Sequence, residues 1–250
     1  MSIKIYNEED FKGLRIAGNL AARTLDYITD YVKEGVSTLY LNDLCDDFIN
    51  KNGGISACIG YHGYPKSVCI SLNHVICHGI PSEDKKLKNG DIVTLDICVC
   101  YKGYHGDSAW TYKVGDISKE KEYLLEHTEK ALFVGLEQVK PGNRIGDIGY
   151  AIEAYAEKHN LGVVKELVGH GVGSSVHEDP DIPNYGRKNT GPVIKEGMVF
   201  AIEPMLNLGT ADIYMLDDDW TIETDDGMPS AHFEHTVVVT KDGYQILTGE

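Results

Sequence analysis

The second half of this chain can be laid over its first, and that repeat constrains the fold more than any other feature. Gly35 falls on Gly142, Gly90 on Gly197 and Asp96 on Glu203, all at one and the same offset. Gly54 falls on Gly162, and Tyr61-His62-Gly63 on Gly169-His170-Gly171, at an offset longer by a single position. Two unrelated helix-plus-strand runs would not hold so steady an offset. A duplicated unit predicts one domain over residues 1–250, built of pseudo-equivalent halves of about 1–115 and 116–250, with a site at their junction. No Pro/Ser-rich linker argues for separate domains, and 250 residues suffice to bury a full core.

Each half opens with a helix pair. The first helix runs from about Glu8 to Val32, with Phe11, Leu14, Ala17, Ala21, Leu25 and Ile28 on one stripe. The second follows Ser37 and stops before Gly53-Gly54. The third opens at Ser118, carries Leu125, Leu132, Leu136 and Val139, and ends at Pro141-Gly142. The fourth carries Ile148, Ile152, Tyr155 and His159 and ends by Gly162. Strand-like stretches follow each pair, so the expected class is α/β (α+β).

The formal net charge of −16 argues against bulk binding to nucleic acid or to an anionic membrane. The chain offers neither a signal-like run at Met1–Glu8 nor the ~18 consecutive apolar residues of a membrane span. The six cysteines contain no C-x-x-C pair and are expected as reduced thiols in a cytoplasmic protein. Acidic Asp217-Asp218-Asp219 reads as a solvated turn.

The acids inside the strands carry the functional argument. Asn89-Gly90 signals a turn, and Asp91–Val99 alternates so that Ile92, Thr94, Asp96 and Cys98 share one face. A Gly-rich turn from Tyr101 to Gly106 leads to a second strand starting at Asp107, and a hairpin would bring Asp96 near Asp107. In the second half, the strand Met198–Ile202 ends at Glu203-Pro204, and the Val-rich strand Ala231–Thr240 carries Glu234. Burying one lone carboxylate costs several kcal/mol or more. Four in one core would repel strongly unless cations neutralised them, and two divalent ions carry the matching charge. Oxygen-rich ligation with one imidazole suits Mn, Fe, Co or Zn.

His170 sits between two glycines, which leaves it unhindered reach as a ligand. The glycines from Gly169 to Gly173 do not match G-x-G-x-x-G, so a dinucleotide fingerprint is rejected. His78, in Cys77-His78-Gly79-Ile80-Pro81, taken alone is equally a hydrogen-bonded loop histidine.

With these residues in hand, the chain resembles the type I methionine aminopeptidases in their short bacterial form, over nearly its whole length. The specific stretches are Ile55–Cys58, Gly60–Ser67, Asn73–Pro81, Gly90–Val93 leading to Asp96, and His105-Gly106-Asp107. Gly169-His170-Gly171, His177-Glu178, Ile202-Glu203-Pro204 and Glu234-His235-Thr236 complete the set. The resemblance implies the pita-bread fold, with pseudo-two-fold halves around a central antiparallel sheet. It implies Asp96, Asp107, His170, Glu203 and Glu234 as ligands of two divalent ions, with Asp107 and Glu234 bridging. His78 and His177 become substrate contacts beside the scissile amide, and Glu203 the acid-base group. The methionine pocket would be lined by Cys58, Tyr61, Tyr64, Cys69 and Trp220, with His62, the repeat-mate of His170, also in the cleft. Asn73, Val75 and Ser230 match a monovalent-cation site, and a plain loop role fits them equally.

The implied reaction is removal of the N-terminal methionine from nascent chains when the second residue is small and uncharged, after deformylation. The ribosome is a candidate meeting place, and a monomer is expected. Val176 and Asp219 depart from the pattern, where a large aromatic and a glycine are common. Three rivals remain. A prolidase would carry a large extra amino-terminal domain, whereas only the two helices and a short strand-like stretch precede His78 here. A metal-free binding protein would not need all five ligands. A Cys77-His78 nucleophilic pair would need geometry that sequence neighbours seldom have.

Overall fold

A computed structural model describes residues 2–249. Among them four α-helices stand where the apolar periodicity puts them: α1 (Glu8–Thr29), α2 (Thr38–Lys51), α3 (Lys119–Leu136) and α4 (Ile145–Lys158). Asn7 starts α1 through a capping box, accepting from Glu9 N and Asp10 N while Asp10 accepts from Asn7 N. Ser37 and Ser118 cap α2 and α3 by accepting from Tyr40 N and Lys121 N. The expected stripe of α1 is buried throughout. Two helices end earlier than their apolar patterns suggest. Past Thr29 and past Leu136 the chain tightens into three-residue turns, Val32 N donating to Thr29 O and Val139 N to Leu136 O. Val32 and Val139 still reach the core, from the turn rather than from the helix.

The repeat is physical. The α2 and α4 bounds, the short strands Ile55–Ser56 and Gly162–Val163, and the starts of the strands Ile92–Tyr101 and Val199–Ile202 all keep the offset that relates Asp96 to Glu203. So do the isolated bridges Ser37–Lys86 and Arg144–Val193. The Tyr61–Gly63 triplet does not follow. It forms a 3-10 turn, whereas Gly169–Gly171 is a strand. His170 pairs with Ala201, and the equivalent of Ala201, Thr94, pairs with Ser71. Ser71, not His62, is therefore the structural mate of His170.

Each half contributes a sheet. In the first, Ile92–Tyr101 pairs along one edge with Tyr104–Lys113 and along the other with Cys69–Leu72 and Ile55–Ser56. The second is ordered Gly243–Ile246, His235–Thr240, Val199–Ile202, Gly169–Gly171, Glu178–Ile182. The halves meet in a hydrogen-bonded seam. Thr236 Oγ1 accepts from Asp107 N at 3.0 Å, Ala109 O accepts from Glu234 N at 2.9 Å, and His232 N donates to Thr111 Oγ1 at 3.1 Å.

The expected strand from Ala231 to Thr240 is two strands. Ser230–His232 pairs with Met205–Asn207, and His235–Thr240 pairs with Val199–Ile202. The chain changes sheet at Phe233-Glu234, opposite the break at Glu203-Pro204, where proline supplies no ladder donor. Two separate cores of buried side chains back the halves, one on α1 and α2, the other on α3 and α4. Among the described residues no helix is long and apolar enough to cross a membrane.

Candidate active site

The first two acids are aimed by a hairpin. Lys102 and Gly103 both take left-handed φ values, 50° and 86°, as a two-residue type I′ turn demands. The return strand therefore starts at Tyr104, ahead of the expected Asp107. Its register pairs Cys98 with Asp107 and Asp96 with Ala109, which makes Asp96 and Asp107 diagonal neighbours on one face.

The other three donors come from the second half. Glu203 and Glu234 occupy the facing breaks where the chain changes sheet, so neither spends its backbone in a regular ladder. His170 lies on Gly169–Gly171, and the glycines there serve the backbone rather than the reach of the histidine. A Cβ on Gly169 would stand 2.4 Å from Ala201 O, and one on Gly171 2.4 Å from Asp179 O. The His170 Nδ1–H donates to Gly171 O at 2.9 Å, which leaves the Nε2 lone pair free to face the acids.

Ligand-type atoms of Asp107, His170 and Glu234 all lie within 4.8 Å of one another. His170 Nε2 is 3.8 Å from Asp107 Oδ2 and 3.4 Å from Glu203 Oε1. Burial, with Asp107 beside it, pushes the Asp96 carboxyl well up; burial and its acidic neighbours do the same to Glu203 and Glu234. Burial raises Asp107 to about 7 and lowers His170 to about 3. Among the described residues the buried Glu234 Oε1 has no hydrogen-bond partner. An orphaned carboxylate oxygen beside three more acids and a free imidazole lone pair fits a divalent cation and little else.

The family's sequence profile, metallopeptidase family M24, matches residues 12–241. The methionine aminopeptidase of Rickettsia prowazekii (strain Madrid E) is 52% identical over 249 residues, covering 99% of this chain and 96% of that protein. The chain belongs to the M24 metallopeptidases, among the methionine aminopeptidases. The crystal structure of the methionine aminopeptidase from Rickettsia prowazekii superposes with a TM-score of 0.98 at 52% identity, covering 99% of this chain and 100% of that one. The prolidase from Pyrococcus furiosus shares the fold at 23% identity, TM-score 0.80, over 98% of this chain and 65% of that one. The pita-bread architecture of the M24 family is thus the fold of this chain, and divalent metal binding comes with it.

The twelve residues expected as metal ligands, catalytic groups and methionine-pocket lining all border one cavity of about 150 Å³. His177 stands at its mouth, with ring centroids 4.0 Å from His170, and is hydrogen-bonded through Nδ1 to the Tyr61 hydroxyl. That leaves His177 Nε2 available to a substrate. Trp220 packs edge-on against Tyr64 at 5.1 Å and against His78 at 6.1 Å. Tyr64 is itself pinned by donating to Gly79 O at 3.0 Å. Cys58 and Cys69 complete the expected methionine-pocket residues in the lining. Burial, then His177, lowers His78 to about 4, so its ring is neutral at ordinary pH.

His62 is outside this lining. It is exposed, edge-on to Tyr61 at 4.5 Å, because its own turn faces outward. Val176 does line the cavity. Asp219 takes φ 63°, a left-handed position that glycine prefers and aspartate tolerates, and Asp218 closes the acidic turn by accepting from Trp220 N and Thr221 N. All six cysteines are free thiols. Asn73 O accepts from Ser230 N at 2.9 Å, joining two of the three residues of the expected monovalent-cation site. The Lys121 ammonium donates to Asn73 Oδ1 at 2.7 Å beside them.

A further lining residue and a flanking one fall outside the expected site. Cys98, which alternation already put on the face of Asp96, also lines the cavity. His232, two residues before Glu234, is buried with Nε2 3.7 Å from Glu203 Oε2. A histidine at the i−2 position from a site acid was its only signal.

Proposed function

We propose that this chain is a single catalytic unit that hydrolyses the N-terminal methionine from peptides and nascent proteins whose second residue is small and uncharged. The observation that carries the reading is the conjunction of five donors and a thioether-sized pocket in one cavity. Asp96, Asp107, His170, Glu203 and Glu234 would hold two divalent ions, Co, Mn, Fe or Zn, with Asp107 and Glu234 shared between them. The ions, when bound, would supply Lewis acidity and a nucleophile at neutral pH.

The chain's own side chains do the rest. Cys58, Tyr61, Tyr64, Cys69 and Trp220 take the methionine side chain, since soft sulfur and aromatic edges suit an unbranched thioether. Glu203 carries a proton between the attacking water and the leaving amine. His177 Nε2 donates to the carbonyl oxygen as it gains charge, and Tyr61 holds the ring from behind. His78, neutral and within electrostatic reach of His177, contacts the substrate near the scissile amide. A monovalent cation at Asn73, Val75 and Ser230 would share its surroundings with the Lys121 ammonium. The reading places the enzyme in the cytoplasm as a monomer that meets nascent chains at or near the ribosome after deformylation.

Peptides beginning Met-Ala, Met-Gly or Met-Ser should be cleaved, Met-Lys and Met-Leu hardly at all, and formyl-Met peptides not at all. Turnover of Met-Leu equal to that of Met-Ala would sink the specificity. Activity that survives exhaustive chelation would sink the metal chemistry.

A further inference from the structure

His232 is buried on both sides of its ring, and among the described residues neither ring nitrogen has a hydrogen-bond partner. A side chain kept only for its volume would be apolar there, because an unmet buried donor costs free energy. The repeat says what this ring faces. Cys98 pairs with Asp107 in the first half, and its repeat equivalent, Met205, pairs with His232. His232 therefore stands to Glu203 as Asp107 stands to Asp96, a diagonal neighbour on the same face. The measured contact agrees, with Nε2 3.7 Å from Glu203 Oε2. The other oxygen of that carboxyl is 3.4 Å from His170 Nε2, so Glu203 lies between two imidazoles. The gap of 3.7 Å is too long for a hydrogen bond and too short to admit a bridging water, so the two groups face each other with nothing between them.

We propose that His232 is a positioning residue for Glu203, carrying its proton on Nε2 and donating it to Glu203 Oε2 from the buried side, so that the carboxyl plane is held for proton transfer. The proposal rests on the reading of Glu203 as the acid-base group. One buried donor fixes one oxygen, and the other is left toward the cavity where the reacting water stands. His232 touches neither substrate nor scissile bond; it acts through Glu203.

The zinc-loaded enzyme, labelled with nitrogen-15 at histidine, tests the proton's position. Nitrogen NMR should show a His232 ring with Nε2–H and a bare Nδ1, unchanged from about pH 6 to about pH 8, with the signal assigned by its absence from His232→Gln. A proton on Nδ1, or a doubly protonated ring in that range, overturns the proposal. Kinetics supply a second arm. The glutamine amide nitrogen reaches the place of Nε2, whereas that of asparagine reaches only the place of Nδ1. His232→Gln should stay within about threefold of the parent kcat, while His232→Asn and His232→Leu lose about 10- to 100-fold with KM little changed and metal content intact. Equal turnover by the Gln and Asn variants overturns the positioning role. Glu203→Gln separates the two readings. If it is inactive while His232→Asn is unimpaired, only the role of His232 fails; if Glu203→Gln turns over normally, the reading of Glu203 fails and takes this proposal with it.

Discussion

Tyr61 and His177, far apart in the chain, meet in a hydrogen bond of 2.7 Å between the phenol oxygen and Nδ1. The bond crosses the cleft, since Tyr61 belongs to a first-half turn and His177 to the loop after a second-half strand. Tyr61→Phe keeps the ring against the pocket and deletes only this contact. We expect kcat to fall about 3- to 10-fold, the value of one neutral hydrogen bond. In a His177→Ala background the same change should cost nothing further, and a double-mutant cycle measures this. Additive losses would mean that Tyr61 does not act through His177.

The two neighbouring imidazoles should separate cleanly. His170 is buried with Nδ1 committed to Gly171 O, whereas His177 is exposed at the mouth. His177→Ala should retain its metal and lose about 10²–10³ in kcat, with KM moving less. His170→Ala should lose metal affinity first and recover partly at high metal concentration. Metal content and kcat at two metal concentrations decide this. Rescue of His177→Ala by added metal, with His170→Ala metal-loaded and slow, reverses the assignment.

Asp107 and Glu234 come from opposite sides of the seam and converge on His170. Removing either should therefore leave both ions under-ligated and the remaining acids mutually repelling. Asp107→Ala and Glu234→Ala should each abolish activity and the binding of both ions. Two tightly held ions in either variant, by elemental analysis after dialysis, would refute shared ligation.

Metal removal should destabilise the fold, and more so at higher pH. A carboxyl raised by burial binds more protons folded than unfolded, so its contribution is present at low pH and lost as pH rises through the folded value, about 7 for Asp107. His78, His170, His232 and His235, lowered to about 4, 3, 3 and 4, act in the opposite sense, and their contribution is complete about one unit above the free imidazole value of 6.5. Between about pH 7.5 and about pH 8.5 the raised acids decide the slope. The Tm of the metal-free protein should fall across that interval, and its gap from the loaded protein should widen. Thermal melts with and without chelator measure it, and a constant gap would show that the acids do not titrate together.

Much of this was legible in the chain because it is local. The α1 stripe and the turn at Gly90 are each written within a few residues of chain, and both stand as read. Alternation from Ile92 carried Asp96 to the correct face, and five donors gathered where the repeat put a junction. The failures are non-local. A Val-rich run gives no sign that it changes partners at Phe233-Glu234, since that break is set by Ala109 across the seam. A glycine follows both His62 and His170, yet the pair that flanks His170 exists to let Ala201 and Asp179 approach. His232 was invisible because only its register with Met205 shows what it faces.

The scaffold repeats, but the residues set into it do not: where one half carries His170 the other carries Ser71, and where one carries Asp107 the other carries His232. A peptide has a direction, amine at one end and carboxyl at the other. A cleft with true two-fold symmetry would accept it equally well either way round. The drift of these paired positions toward unlike chemistry removes that ambiguity, and it gives a palindromic frame a sense of which end of a polypeptide comes first.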